Sequence, residues 1–160
     1  MEAHPFRQAF AARDRERLVS LLADDVSFHS PVISEPGFEG RDSAARALAI
    51  ALDVFKDAQY THDVGDDRSH LLVADARVLG KPIKTTWLLE FDADGKIREI
   101  WVMARPLPGV IAIVEAVRRH IRGRGRRSAM QALSKPLAAL AAVTDRAAAR
   151  MVRDLNRSTT

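Results

Sequence analysis

From Phe6 to Ala23, apolar residues at Phe6, Phe10, Leu18, Leu21 and Leu22 recur at helical spacing among Arg, Asp and Glu. This predicts an amphipathic helix, closed by Asp24 and Asp25. The period then drops to two: Val26, Phe28 and Val32 predict a short strand, ended by the turn cluster Ser34-Glu35-Pro36-Gly37. A second helix fits Asp42 to Phe55, with Asp42 or Ser43 near its N-cap and Leu48, Leu52 and Phe55 along one face.

Strands fill the middle of the chain: Ala58 to Val64, His70 to Leu79, Ile83 to Phe91 and Ile97 to Arg105. Two connections, Gly80-Lys81-Pro82 and Asp92-Ala93-Asp94-Gly95, carry the glycine or proline that tight reversals need. The order predicts an α+β fold, a curved antiparallel sheet covered by the two leading helices. After Pro106 the pattern becomes helical again, with Val110, Val114, Val117 and Ile121 at three- and four-residue steps. An Arg/Gly run at 122–127 follows, and then a last helix from about Ser134 to Leu155 whose Leu137, Leu140, Ala147 and Met151 form a narrow apolar stripe. Residues 1–105 thus read as one domain and 106–160 as a helical extension that packs on it or on a partner subunit.

Charge sharpens that division. Residues 1–105 hold 14 Lys+Arg against 18 Asp+Glu, net −4, whereas residues 106–160 hold 11 against 3, net +8. A phosphate-binding reading therefore concerns the tail alone: Arg118 to Arg127 would be the contact to a nucleic acid or an anionic membrane. Aromatic residues are absent from 106–160, which removes stacking platforms for single strands. Cysteine is absent, so disulfides, thiolate metal sites and cysteine nucleophiles are excluded. The histidines show no metal-ligand spacing, and neither a phosphate-binding glycine loop nor a Gly-x-Ser-x-Gly elbow occurs, so no metal or other cofactor is expected. No secretory leader opens the chain and no apolar run approaches the roughly 20 residues of a membrane span, so the expected location is the cytoplasm.

The segment Leu22-Ala23-Asp24-Asp25-Val26-Ser27-Phe28-His29-Ser30-Pro31-Val32, followed by Ser34-Glu35-Pro36, Gly40-Arg41 and the later hairpin Phe91 to Ile97, resembles the nuclear transport factor 2-like superfamily. That superfamily includes the SnoaL-like cyclases and ketosteroid isomerase. The resemblance covers roughly residues 4 to 105. It implies a cone, a bent sheet wrapped around a long helix, that encloses a mostly apolar pocket and usually forms a homodimer. It implies no single reaction, because function resides in the pocket residues. Ketosteroid isomerase uses an aspartate base and an oxyanion hole made of a tyrosine and a protonated aspartate. On this chain the resemblance lays the base on Ser30, the tyrosine on Phe6 and the second aspartate on Trp87. Phe6 has no hydroxyl to donate, and an unassisted serine is too weak a base at neutral pH.

Strand alternation, with Ser30 in the place of the base, turns Phe28 and Ser30 toward the pocket and His29 to the opposite face. Ser30 then either bonds a ligand or caps the turn after Pro31. His62 and Asp63 fall on opposite faces of one strand, and a pocket-facing His62 would be the remaining general base by its intrinsic pKa of about 6.5. Asp75 and Arg77 share a face, either as an anchor for a polar ligand group or as a solvated pair. Trp87 would wall the pocket with its indole N–H free for one hydrogen bond, while Trp101 and Met103 would lie on the face that in this family packs against a partner. The candidate ligand-binding set is Phe6, Phe28, Ser30, His62 and Trp87. Two functions follow. One is binding of a small lipophilic molecule, with or without a cofactor-independent isomerase, cyclase or dehydratase step. The other is a non-catalytic dimerisation or interaction module with a basic tail. A His or Asp within reach of Ser30 favours the first, and a pocket filled by its own side chains favours the second.

Overall fold

The computed structural model describes residues 3–33 and 37–122. The expected last helix, the Ser34-Glu35-Pro36 motif and the basic run from 123 onward lie outside the described residues. Where one leading helix was expected there are two, α1 (Pro5–Ala11) and α2 (Arg15–Ser20). The break is local: Arg13 takes a left-handed φ of 56°, and the Asp14 side chain accepts a 2.9 Å bond from the Arg17 backbone N–H, capping α2. The apolar pattern of 6–23 continues across the break because both helices, and then the strand after them, bury residues in one core.

Strand β1 (Leu22–His29) begins earlier than its alternation suggests, and Asp24 and Asp25 do not close a helix. They are exposed within β1, where the pairing with the last strand shifts register between Leu22 and Ser27. A short β2 (Phe38–Glu39) pairs back on β1. Helix α3 (Arg41–Val54) is entered through Gly40, whose φ of 79° favours glycine, and neither Asp42 nor Ser43 caps it. Four long strands follow: β3 (Lys56–Gly65), β4 (Ser69–Val78), β5 (Lys81–Phe91) and β6 (Ile97–Arg105). The β4–β5 reversal is a two-residue turn at Leu79-Gly80, both with positive φ, so Lys81 and Pro82 already belong to β5.

The sheet order is β2-β1-β6-β5-β4-β3, curved and unclosed. Neighbours are antiparallel except β1 and β6, which run parallel because the chain crosses over between its first strand and the later meander. One face carries Leu72, Ile83, Trp87, Leu89, Ile100 and Val102, buried against α1, α2 and α3. Helix α4 (Leu107–Arg122) joins this core through Ala112, Ile113 and Ala116. Its buried face is offset from the stripe expected at 110, 114, 117 and 121, and Val114 is exposed. Residues 110–114 are all apolar, so periodicity alone could not choose the face. No helix of the described residues is long and apolar enough to cross a membrane.

A polar cluster ties α1 to the sheet. Asp63, turned inward on β3, accepts from Arg7 Nη1 at 2.9 Å and from the His4 backbone at 3.3 Å, and its other oxygen meets His70 Nε2 at 2.6 Å. The His4 ring stacks on His70 with centroids 4.2 Å apart, and Arg7 lies over the Tyr60 ring. Burial alone would push the Asp63 carboxyl up, but the bonds from His70, Arg7 and His4 outweigh it and hold it below its ordinary value of 3.8. Burial, and then the neighbouring His70, lower His4 from 6.5 against the opposing pull of Asp63. Burial pushes the Tyr60 hydroxyl up to about 12.

Both His4 and Asp63 make acid destabilising. The unfolded chain takes a proton on His4 near 6.5 that the fold resists, so stability falls as pH drops below that value toward the lowered folded pKa. The contribution of Asp63 is complete above its unfolded value of 3.8 and is lost as pH falls through its lower folded value. In thermal melts from about pH 8 to about pH 5, His4→Gln should show a shallower loss of Tm with acid than the native chain. Asp63→Asn should cost about 1–3 kcal/mol at neutral pH, because it weakens charge-assisted bonds in a half-buried cluster. Equal pH slopes for His4→Gln and the native chain would disprove the assignment to His4.

Candidate functional site

An apolar cavity of about 60 Å³ lies where the end of β1, α3, β5, β6 and α4 converge. Its walls are Phe28 and Ser30 from β1 and its exit, Pro31 to Ile33, Phe38 of β2, Ala47, Ile50, Ala51 and Val54 of α3 with Phe55 just after it, Trp87, Val102, and Ile113 and Val117 of α4. It has room for roughly four water-sized groups. Among these described lining residues only Ser30 and Trp87 bring a polar side-chain atom.

Trp87 forms the floor. It is 4% exposed and meets four phenylalanine rings: Phe10 at 5.2 Å, Phe6 at 5.8 Å, Phe55 at 5.9 Å and Phe28 at 6.3 Å between centroids. The indole N–H expected to serve a ligand instead donates to Thr85 Oγ1 at 3.3 Å, and that buried hydroxyl donates to the Ala74 carbonyl at 3.5 Å. The reason is the pleat: Thr85 and Trp87 share the inner face of β5, so the buried donor finds its partner two residues away.

Ser30 does two things at once. Its Oγ accepts from the Val32 backbone N–H at 3.3 Å, capping the turn, while the side chain lines the cavity. The turn uses Ser30 as an acceptor, so its hydroxyl proton can be given to an acceptor atom in the cavity.

The remaining expected residues separate. Phe6 is buried beneath Trp87 and does not line the cavity. His62 is exposed on β3, on the far side of the sheet, with its ring beside the Thr61 hydroxyl at 3.2 Å. An irregularity in β3 between Tyr60 and His62 sets this phase, turning His62 outward and Asp63 inward. His29 lies on the outer face, as alternation predicts, with its ring stacked on Trp101 at 3.6 Å and Nε2 3.1 Å from Glu99. Asp75 and Arg77 also face outward, beside a wide groove open to solvent. Asp75 pairs with Lys84 at 2.7 Å, and Arg77 donates to the Gly80 carbonyl.

Packing of the first tail helix on the cone is among the expected arrangements, but the sequence did not single out the α4 residues that reach the cavity. Glu115 takes both Arg118 and Arg119, and the bonds from Arg118 first hold its carboxyl at about 2. The first two arginines of the basic run are therefore engaged within the helix. His120 Nδ1 lies 3.6 Å from Asp53 Oδ2 on α3, where Arg13 and Arg15 also converge. Ile113 and Val117, on the side of α4 turned inward by these contacts, close the cavity.

Comparison with known proteins agrees with this architecture. A family model described as SnoaL-like domain matches residues 3–100. Among curated protein sequences none matches significantly. A crystal structure of a steroid delta-isomerase from Pseudomonas aeruginosa is similar at 30% identity and a TM-score of 0.70, over 74% of this chain and 88% of that one. An uncharacterised bacterial protein with a cystatin-like fold from Silicibacter pomeroyi shares 24% identity and a TM-score of 0.70, over 74% and 83% of the two chains. A nuclear transport factor 2-like protein of unknown function from Cytophaga hutchinsonii shares 17% identity and a TM-score of 0.53, over 68% and 96%. With a helix-packed curved sheet, an inward apolar cavity and a family match over most of the cone, the chain belongs to the SnoaL-like domain family of the nuclear transport factor 2-like superfamily.

Proposed function

We propose that this protein binds a small, neutral, apolar molecule in the cavity between Trp87 and α4. The observation that carries the reading is the composition of the wall. Apolar side chains surround about 60 Å³ of space, and among the described residues the one hydroxyl turned to it is Ser30, with a proton to donate. Apolar walls favour apolar ligand surface by about 25 cal/mol per Å² buried, whereas a charged ligand would lose its hydration without a counter-charge. General acid–base catalysis requires a titratable side chain within about 3 Å of the reacting atom, and the described wall brings none. The similar steroid delta-isomerase supports a small-molecule pocket in this fold, but the residues on which its family's catalytic groups fall here are Phe6, Ser30 and Trp87.

The outer face of the sheet supports a second element of the proposal, a homodimer. Leu71 pairs across to Leu88, Leu88 to Trp101, and Thr86 to Met103, giving a continuous stripe on β4, β5 and β6. Trp101 is 39% and Met103 51% exposed on that stripe. A contiguous exposed apolar patch of this kind marks an association surface, and a second copy would cover it with the same residues.

Native mass spectrometry of freshly purified protein, followed by denaturing extraction, should reveal a small neutral compound bound to a dimer. Ser30→Ala should weaken a ligand that bears an oxygen acceptor by about three- to tenfold and leave a pure hydrocarbon unaffected. Bare chain mass, together with no saturable binding of neutral apolar compounds, would overturn the ligand reading. Trp101→Glu should raise the dimer dissociation constant by about tenfold or more, read by light scattering behind size exclusion. A dimer of unchanged strength in that variant would place the association elsewhere.

A further inference from the structure

We infer that α4 is the specificity-determining wall of this site: Ile113 and Val117 set the largest ligand the cavity accepts. The inference rests on the ligand-binding reading above and adds which residues select within the class. The floor and the sides belong to the cone itself, with Trp87 held by four phenylalanine rings and the α3 wall built of Ala47, Ile50, Ala51 and Val54. Helix α4 lies beyond the region matched by the family model, which ends at residue 100, yet two of its side chains complete the enclosure.

That roof is fixed. Gly109 lets the first turn of α4 approach β5 so closely that a Cβ there would stand 3.1 Å from Ile83 Cδ1. Ala112 and Ala116, 7% and 9% exposed, keep the middle of the helix near the sheet, since small side chains permit close packing. Ile113 is 4% exposed and acts both as core and as cavity wall. Farther along, His120 meets Asp53 across to α3 at 3.6 Å. A wall held at both ends limits ligand size by sterics, because overfilling a packed site forces backbone shifts. With about 60 Å³ between this roof and Trp87, the site takes a compact group such as a short alkyl chain, and a longer one requires volume that Ile113 or Val117 occupies.

The test uses the full chain carrying Trp101→Phe, so that emission reports Trp87, titrated with the unbranched primary alcohols from propanol to decanol. Affinity should rise by about fourfold in Kd per added methylene while the chain still fits, and then stop rising. Ile113→Ala should move that break to alcohols longer by about three carbons and Val117→Ala by about two, the volume removed with each side chain. Val114→Ala, an exposed position on the same helix, should leave the break in place. If Ile113→Ala melts too low to titrate, Ile113→Val should still move the break, by about one carbon. Saturable binding with the break unmoved in folded Ile113 and Val117 variants overturns the role of α4 and leaves the ligand reading standing. Absence of saturable binding to every alcohol, in the parent and the variants alike, overturns the ligand reading and the inference with it.

Discussion

The burial of Trp87 against Phe6, Phe10, Phe28 and Phe55 joins every layer of the described structure. Phe6 and Phe10 come from α1, Phe28 from β1 and Phe55 from the end of α3, so one side chain on β5 meets the elements that arrive from both ends of the sheet. Aromatic pairs in tilted and edge-on arrangements contribute about 0.5–1.5 kcal/mol each beyond the area they bury, so this node is a large local term. It also sets the depth of the cavity. An indole with its N–H bound to Thr85 fills the inner part of the cone with a rigid ring, and the space that remains lies above it, toward Ser30 and α4.

The polar groups are arranged around that apolar axis without entering it. Asp63, His70, His4 and Arg7 fasten the N-terminal helix to the β3 side of the sheet. Asp53 gathers Arg13, Arg15 and His120 where α2, α3 and α4 meet. In each cluster a carboxylate is shared among several donors from different elements, which fixes helix positions more than it adds net stability. Of the helices so placed, α3 and α4 contribute to the wall of the cavity, and among the described lining residues the hydroxyl of Ser30 breaks its apolar surface. Among the described residues, these titratable clusters lie apart from the cavity, whose lining is apolar.

Much of this was legible in the chain, and the parts that were not have specific causes. The four long strands stood out because β-branched and aromatic residues alternate with polar ones between turn residues, and the period of two put Phe28 and Ser30 on one face, while the family resemblance alone turned that face and Trp87 inward. The break at Arg13 and Asp14 was hidden, since two short helices packed on one core carry the same apolar spacing as one long helix. Asp24 and Asp25 read as a helix end because paired acids favour turns, whereas a register shift let them sit exposed inside β1. His62 could not be placed, because an irregularity in β3 reverses the phase that simple alternation assigns. The face of α4 was ambiguous for a different reason: a run of consecutive apolar residues offers several equivalent stripes.

By itself, the sequence determined the α+β class through local period and the family through the resemblance of its motifs. Only the tertiary structure decided that the Trp87 N–H is spent on Thr85, that β1 runs parallel to β6, that His62 stands outside and that α4 closes the cavity. These depend on which distant segments meet. Long-range contact is settled by the packing of the whole core, and a local pattern that is compatible with two faces or two registers carries no information about which of them that packing will choose.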